Sequence, residues 1–133
     1  MACFLVPTAE AIIVKAVETV EKKREEKAVE SGKVVEKKPS VPLSRKFKWL
    51  TWLLVGGAVL LAFEHIWHGE ITAWFPFLTA MSDPADTSEM LHEMATVGTT
   101  MAGIITVVWV GMCIAADMIL RRADKENEQS DAV

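Results

Sequence analysis

From Trp49 to Leu120 the chain has no Lys and no Arg, although it carries 14 of them in its 133 residues. Eleven lie at or before Lys48 and three at or after Arg121. That gap excludes an ordinary soluble domain, in which charged and apolar residues mix at helix or strand period. Cysteine is scarce as well. Cys3 and Cys113 offer no CxxC spacing, which excludes a zinc ribbon or a thioredoxin motif. Their surroundings differ in depth and side, so no disulfide between them is expected. An unopposed basic patch is missing, because Glu interleaves with the basic residues, and no nucleic-acid partner is expected. The chain also lacks a nucleophile–base arrangement, a phosphate loop and a complete ligand set, so it is not expected to be an enzyme. The first residues have no basic n-region and no small-residue cleavage site, so a secretory signal peptide is not expected.

What is present comes in blocks. Residues 21–48 and 121–133 are dense in charge, and residues 49–120 are mostly apolar. Met94–Ala116 holds no charge and is long enough for a hydrocarbon core, which needs about 20 residues. Asp117 follows it, four residues before Arg121, and is expected to pair with that Arg. An Asp86–Glu89 capping box after Pro84 is expected to start this helix. The first span is odd. Its uncharged run covers only Trp49–Phe63, so Glu64, His65 and His68 must lie at or just within the outer membrane edge, with Gly69 as the helix stop. Arg45, Lys46 and Lys48 precede the first span, and Arg121 and Arg122 follow the second. By the positive-inside rule both sets are cytoplasmic, which predicts a two-span hairpin, N-in and C-in. Trp49, Trp52, Trp67 and Trp74 are expected to anchor the interfaces.

Before the spans, Ala9, Ile12, Ile13, Ala16, Val17 and Val20 recur at helical spacing, after a Pro7 suited to a first turn. This predicts an amphipathic helix lying in the headgroup region. Packing on a partner protein, or a short and poor membrane span with Glu10 and Lys15 as its cost, are the alternatives.

The predicted organisation is therefore an all-α membrane protein. It has an amphipathic helix (1–20), a charged cytoplasmic linker (21–46) and a first transmembrane helix (47–68). An outer aromatic re-entrant or interfacial loop (69–88), a helix containing the second span (89–120) and a disordered cytoplasmic tail (121–133) follow. Lipid provides no hydrophobic drive for helix pairing, so small residues mark the contact face. Gly56 and Gly57 on the first span are expected to meet Gly103 and Gly111 on the second.

Following those faces outward brings Glu64, His65, His68, Glu89, His92 and Glu93 to one depth. Ionisable residues at a membrane carry a functional expectation. Glu89-x-x-His92 has the spacing of di-iron bundle proteins, although one hairpin supplies too few helices and a second copy or partner would have to complete the set. Fe, Zn, Cu or haem are the candidate groups. Proton handling by imidazole among carboxylates is the other chemistry, and wet headgroup contacts are the bland one. The leading functional expectation is a small non-catalytic integral membrane protein of a prokaryotic inner membrane. It would assemble with itself or with a larger membrane complex. A metal- or haem-binding, redox or proton-handling subunit is the alternative.

Overall fold

The computed structural model describes residues 2–32 and 40–131. The part of the expected linker containing Pro39, and the last two residues of the tail, lie outside them. The helices are α1 (Leu5–Glu30), α2 (Leu43–Trp67), α3 (Pro84–Glu93) and α4 (Thr99–Asp131). A 3-10 turn, Thr79–Ser82, precedes α3. A wide π turn, Met94–Gly98, joins α3 to α4. Among the described residues there is no strand, only an isolated bridge between Ile71 and Leu78.

Among the described residues two helices are long and apolar enough to cross a membrane: Leu43–Trp67, and Pro84–Ser130, which α3, the π turn and α4 form together. At about 1.5 Å per residue, the 25 residues of α2 reach roughly 37 Å, more than the ~30 Å hydrocarbon core.

α1 extends well beyond Val20, into the segment expected to be linker. Its charged second half is good helix material, with i,i+3 pairs at Lys15–Glu18 (2.9 Å) and Glu21–Arg24 (3.7 Å). It stops where Gly32 takes a left-handed φ of 67° and donates its N–H to Val29 O.

This helix lies lengthwise on α2. Phe4 meets the ring of His65 at 5.9 Å. Ala11 and Val14 share a core cluster with Leu50 and Leu54. Farther along, Ser44 Oγ donates to Glu25 Oε2 at 2.6 Å. Residue numbers thus rise along α1 as they fall along α2. The buried face of α1 is Pro7, Ala11, Val14 and Glu18, not the bulky stripe expected from amphipathicity. Ile12, Ile13 and Val20 are 68%, 64% and 62% exposed. Small side chains let two backbones approach, and the bulky ones are left outside.

α4 completes the bundle. Lys46 Nζ lies 2.6 Å from Asp117 Oδ2. Phe47 stacks on Trp109, whose Nε1 donates to Lys46 O at 2.7 Å. Thr106 Oγ1 donates to Glu10 Oε1 at 2.9 Å.

The glycine contacts differ from those expected. A Cβ on Gly57 would sit 2.8 Å from Ile105 Cδ1, and one on Gly98 would sit 2.8 Å from Val6 Cγ2 and 3.2 Å from Cys3 O. Gly56, Gly103 and Gly111 have open space instead. Gly57 meets Ile105 instead of a glycine, and Gly98 is close to Val6 and Cys3 because the start of α1 packs against the π turn. Two smaller expectations are corrected too. α3 is capped by Asp83, whose side chain accepts from Ala85 N at 2.7 Å with Pro84 in the first turn, not by an Asp86–Glu89 box. The charged tail continues α4 as helix to Asp131.

Candidate functional site

The site is built at the end of α2. His65 occupies the last turn and is 6% exposed. Gly69 has φ 72°, which places its N–H on Ile66 O and the Glu70 N–H on His65 O, both at 3.0 Å. This pair of bonds folds the chain back over the helix end. It carries Glu70 to His65, with Nδ1 2.9 Å from Glu70 Oε2. Glu64 Oε2 lies 4.0 Å from the same nitrogen, and Glu64 Oε1 lies 3.7 Å from His68 Nε2. The result is a chain of alternating imidazoles and carboxylates: His68, Glu64, His65, Glu70. His65 Nε2 is buried and has no hydrogen-bond partner among the described residues. The arrangement gathers two imidazoles and two carboxylates within 4.0 Å contacts, the residue types that proton handling uses.

The aromatic segment after Glu70 folds back on itself. Thr79 N–H donates to Glu70 O and Thr72 N–H to Phe77 O. Its tip is exposed, with Trp74 at 73% and Phe75 at 84%. Its return limb packs inward. Ala80 and Leu78 cluster with Met90 and Met94, and with Ala2 and Phe4 from the start of the chain. Ala2 and Phe4 therefore plug this end of the bundle.

Of the six expected site residues, Glu64, His65 and His68 come together. Glu89 and His92 are exposed on α3. Glu93 is half-buried, and its backbone carbonyl lies 3.9 Å from Cys3 Sγ. Among the described residues no group of three or more His, Cys, Asp or Glu is placed to hold a metal ion. Glu70 was missed by sequence reasoning, although a signal existed: a glycine stop predicts that the next residue returns to the helix's third-last position. Phe4, Glu10 and Glu18 were missed because only α1's packing brings them to the other helices.

At the opposite end, Asp117 takes Lys46 as its partner rather than Arg121. The Lys46 hydrogen bond holds the Asp117 carboxyl below the usual carboxylate range, against the opposing effect of burial. The Val41 N–H, at 3.2 Å, and the charges of Lys46 and Arg121 add to the lowering. Arg45, Lys48, Arg121 and Arg122 are exposed at this end. Of the expected interface anchors, Trp52 and Trp67 are 68% and 78% exposed, and Trp49 is half-buried.

No protein-family model, curated protein or solved structure matches this chain.

Proposed function

We propose that this chain is a small, non-catalytic integral membrane protein that acts as an assembly or accessory subunit, joined to copies of itself or to a larger membrane complex. One observation carries this reading: the apolar helices have bare exteriors. In the most apolar stretch of Pro84–Ser130, 6% of residues are buried within the chain, and in that of Leu43–Trp67, 22%. Apolar surface of that extent needs lipid or a partner to cover it.

In this reading α2 and α4 form an antiparallel transmembrane hairpin, supported by the pairing of Lys46 with Asp117 and of Gly57 with Ile105. α1 crosses beside them, instead of lying flat in the headgroups. Its bulky Ile12, Ile13 and Val20 face away from the bundle, as lipid-facing residues do. Its polar side chains find partners, Glu10 at Thr106 and Glu18 at Lys15 and Thr51. Lys22, Lys23, Arg24 and Lys27 on α1 fall at the same end as Arg45 and Lys46. Positive-inside threading then puts that end in the cytoplasm and the Phe4 end outside.

Native mass spectrometry from mild detergent tests the subunit role. The expected result is a particle heavier than one 14.7 kDa chain, carrying further copies or a partner. A population that is wholly monomeric and bare would remove it. A second reading, proton handling within a larger assembly, rests on the His68–Glu64–His65–Glu70 chain. Its check is the partner's transport or redox activity, which His65→Gln should slow if that chain is used.

A further inference from the structure

We infer that the groove between α1 and α2 binds an anionic phospholipid of the cytoplasmic leaflet, with one acyl chain along its apolar length and the phosphate at its cationic inner end. The inference rests on the membrane placement proposed above.

Two cavities lie between these helices. One, about 500 Å³, is walled on α1 by Phe4, Thr8, Ala11 and Lys15, and on α2 by Thr51, Val55, Ala58 and Ala62. The other, about 210 Å³, is walled by Glu18 and Lys22 on α1 and by Ser44, Arg45 and Lys48 on α2. Apart from Ile12 and Val59, which also edge the larger cavity, their positions form one line on each helix. On α1 the sequence 4, 8, 11, 15, 18, 22 advances by threes and fours, and so does 44, 48, 51, 55, 58, 62 on α2. Each is a single helix face. The two cavities are therefore consecutive stretches of one groove.

The chemistry changes along it. From Phe4 to Lys15 the walls are almost wholly apolar, over a rise of roughly 16 Å. The inner stretch is cationic. Lys22, Arg45 and Lys48 have no ion-pair partner among the described residues, whereas the carboxylates there are engaged, Glu18 by Lys15 at 2.9 Å and Thr51 at 3.5 Å, and Glu25 by Ser44 at 2.6 Å. An occupant needs a long alkyl chain and an anion at one end. Zwitterionic lipids supply the chain without the net charge. Soluble phosphoesters supply the charge without the chain.

The test places the full chain in nanodiscs of equal phosphatidylglycerol and phosphatidylcholine and reads retained lipid by native mass spectrometry. Retained lipid should be predominantly phosphatidylglycerol. Lys22→Gln/Arg45→Gln/Lys48→Gln should cut that preference by about tenfold or more. Lys23, Arg24, Lys27 and Arg121 still set the threading in this variant. Val55→Trp, which fills the groove from its exposed side, should remove retained lipid of either kind. Glycerol 3-phosphate should displace nothing. Equal retention of both lipids, an undiminished preference in the triple variant, or displacement by glycerol 3-phosphate would each overturn the lipid site. If the chain fails to enter nanodiscs at all, the membrane placement falls and the lipid site falls with it. Entry without preference leaves the membrane placement standing and overturns the lipid site alone.

Discussion

His65 and His68 lie three residues apart, yet one is buried and the other is exposed. Phe4 lies on the His65 ring at 5.9 Å and the turn at Gly69 brings Glu70 to its Nδ1, while His68 stays outside. Removing the Glu70 carboxylate takes away the oxygen that lies 2.9 Å from the Nδ1 of the buried His65. Glu70→Ala should therefore lower the unfolding temperature in detergent clearly. His68→Ala should change stability by no more than about 0.5 kcal/mol. Equal effects from the two variants would show that the burial of His65 carries no energetic weight. At the other end, the lowered Asp117 carboxyl means that its pairing contributes stability above the ordinary carboxylate range. That contribution is lost as pH falls through its depressed value. Asp117→Asn should thus be less stable than the parent near neutrality, and the gap should close in acid, below about pH 4. Unfolding temperature against pH for both proteins reads this directly.

The elements pack by close approach at small residues, and α1 decides where. At Gly98 a Cβ would press on Val6 and on the Cys3 backbone carbonyl, which cannot rotate away. At Gly57 it would press only on the end of the flexible Ile105 side chain. At Gly111 it would meet nothing within 4 Å. Gly98→Ala should therefore destabilise most, in the range of about 1–3 kcal/mol typical of overpacking. Gly57→Ala should cost less, and Gly111→Ala should be neutral or slightly stabilising. Detergent unfolding of the three variants checks the order, and a Gly111→Ala protein as weak as Gly98→Ala would contradict this packing. The helical spacing of apolar residues in residues 4–20 was legible, but the buried face was not. Amphipathic reasoning takes the bulky apolar stripe as the inner one. Beside apolar helices that logic inverts, and Ala11 and Val14 pack while Ile12 and Ile13 stay outside.

For the whole molecule, the decisive quantity is which end of α1 faces which compartment. With endogenous cysteines removed, Ser82→Cys should label with an impermeant reagent from outside and Ser130→Cys should not. Leu5→Cys, at a position 39% exposed beside the outer plug, should label from outside if α1 crosses. Labelling of Leu5→Cys only after permeabilisation would restore the flat, inner placement. The charge distribution favours crossing. Glu64, Glu70, Asp83, Asp86, Glu89 and Glu93 have no Lys or Arg between them in sequence, whereas the described basic residues other than Lys15 cluster at the opposite helix ends.

The sequence by itself determined the helical class, the two apolar helices and the histidines near the end of the first. These follow from composition along the chain, because hydropathy and charge blocks need no knowledge of neighbours. Only the tertiary structure decided that α1 lies along α2 and that Asp117 pairs with Lys46. It also separated His92 from His65 and gave Glu70 to His65 instead. Each of those depends on which faces meet, and three helices of mixed small and bulky residues can meet in several ways that share one sequence pattern.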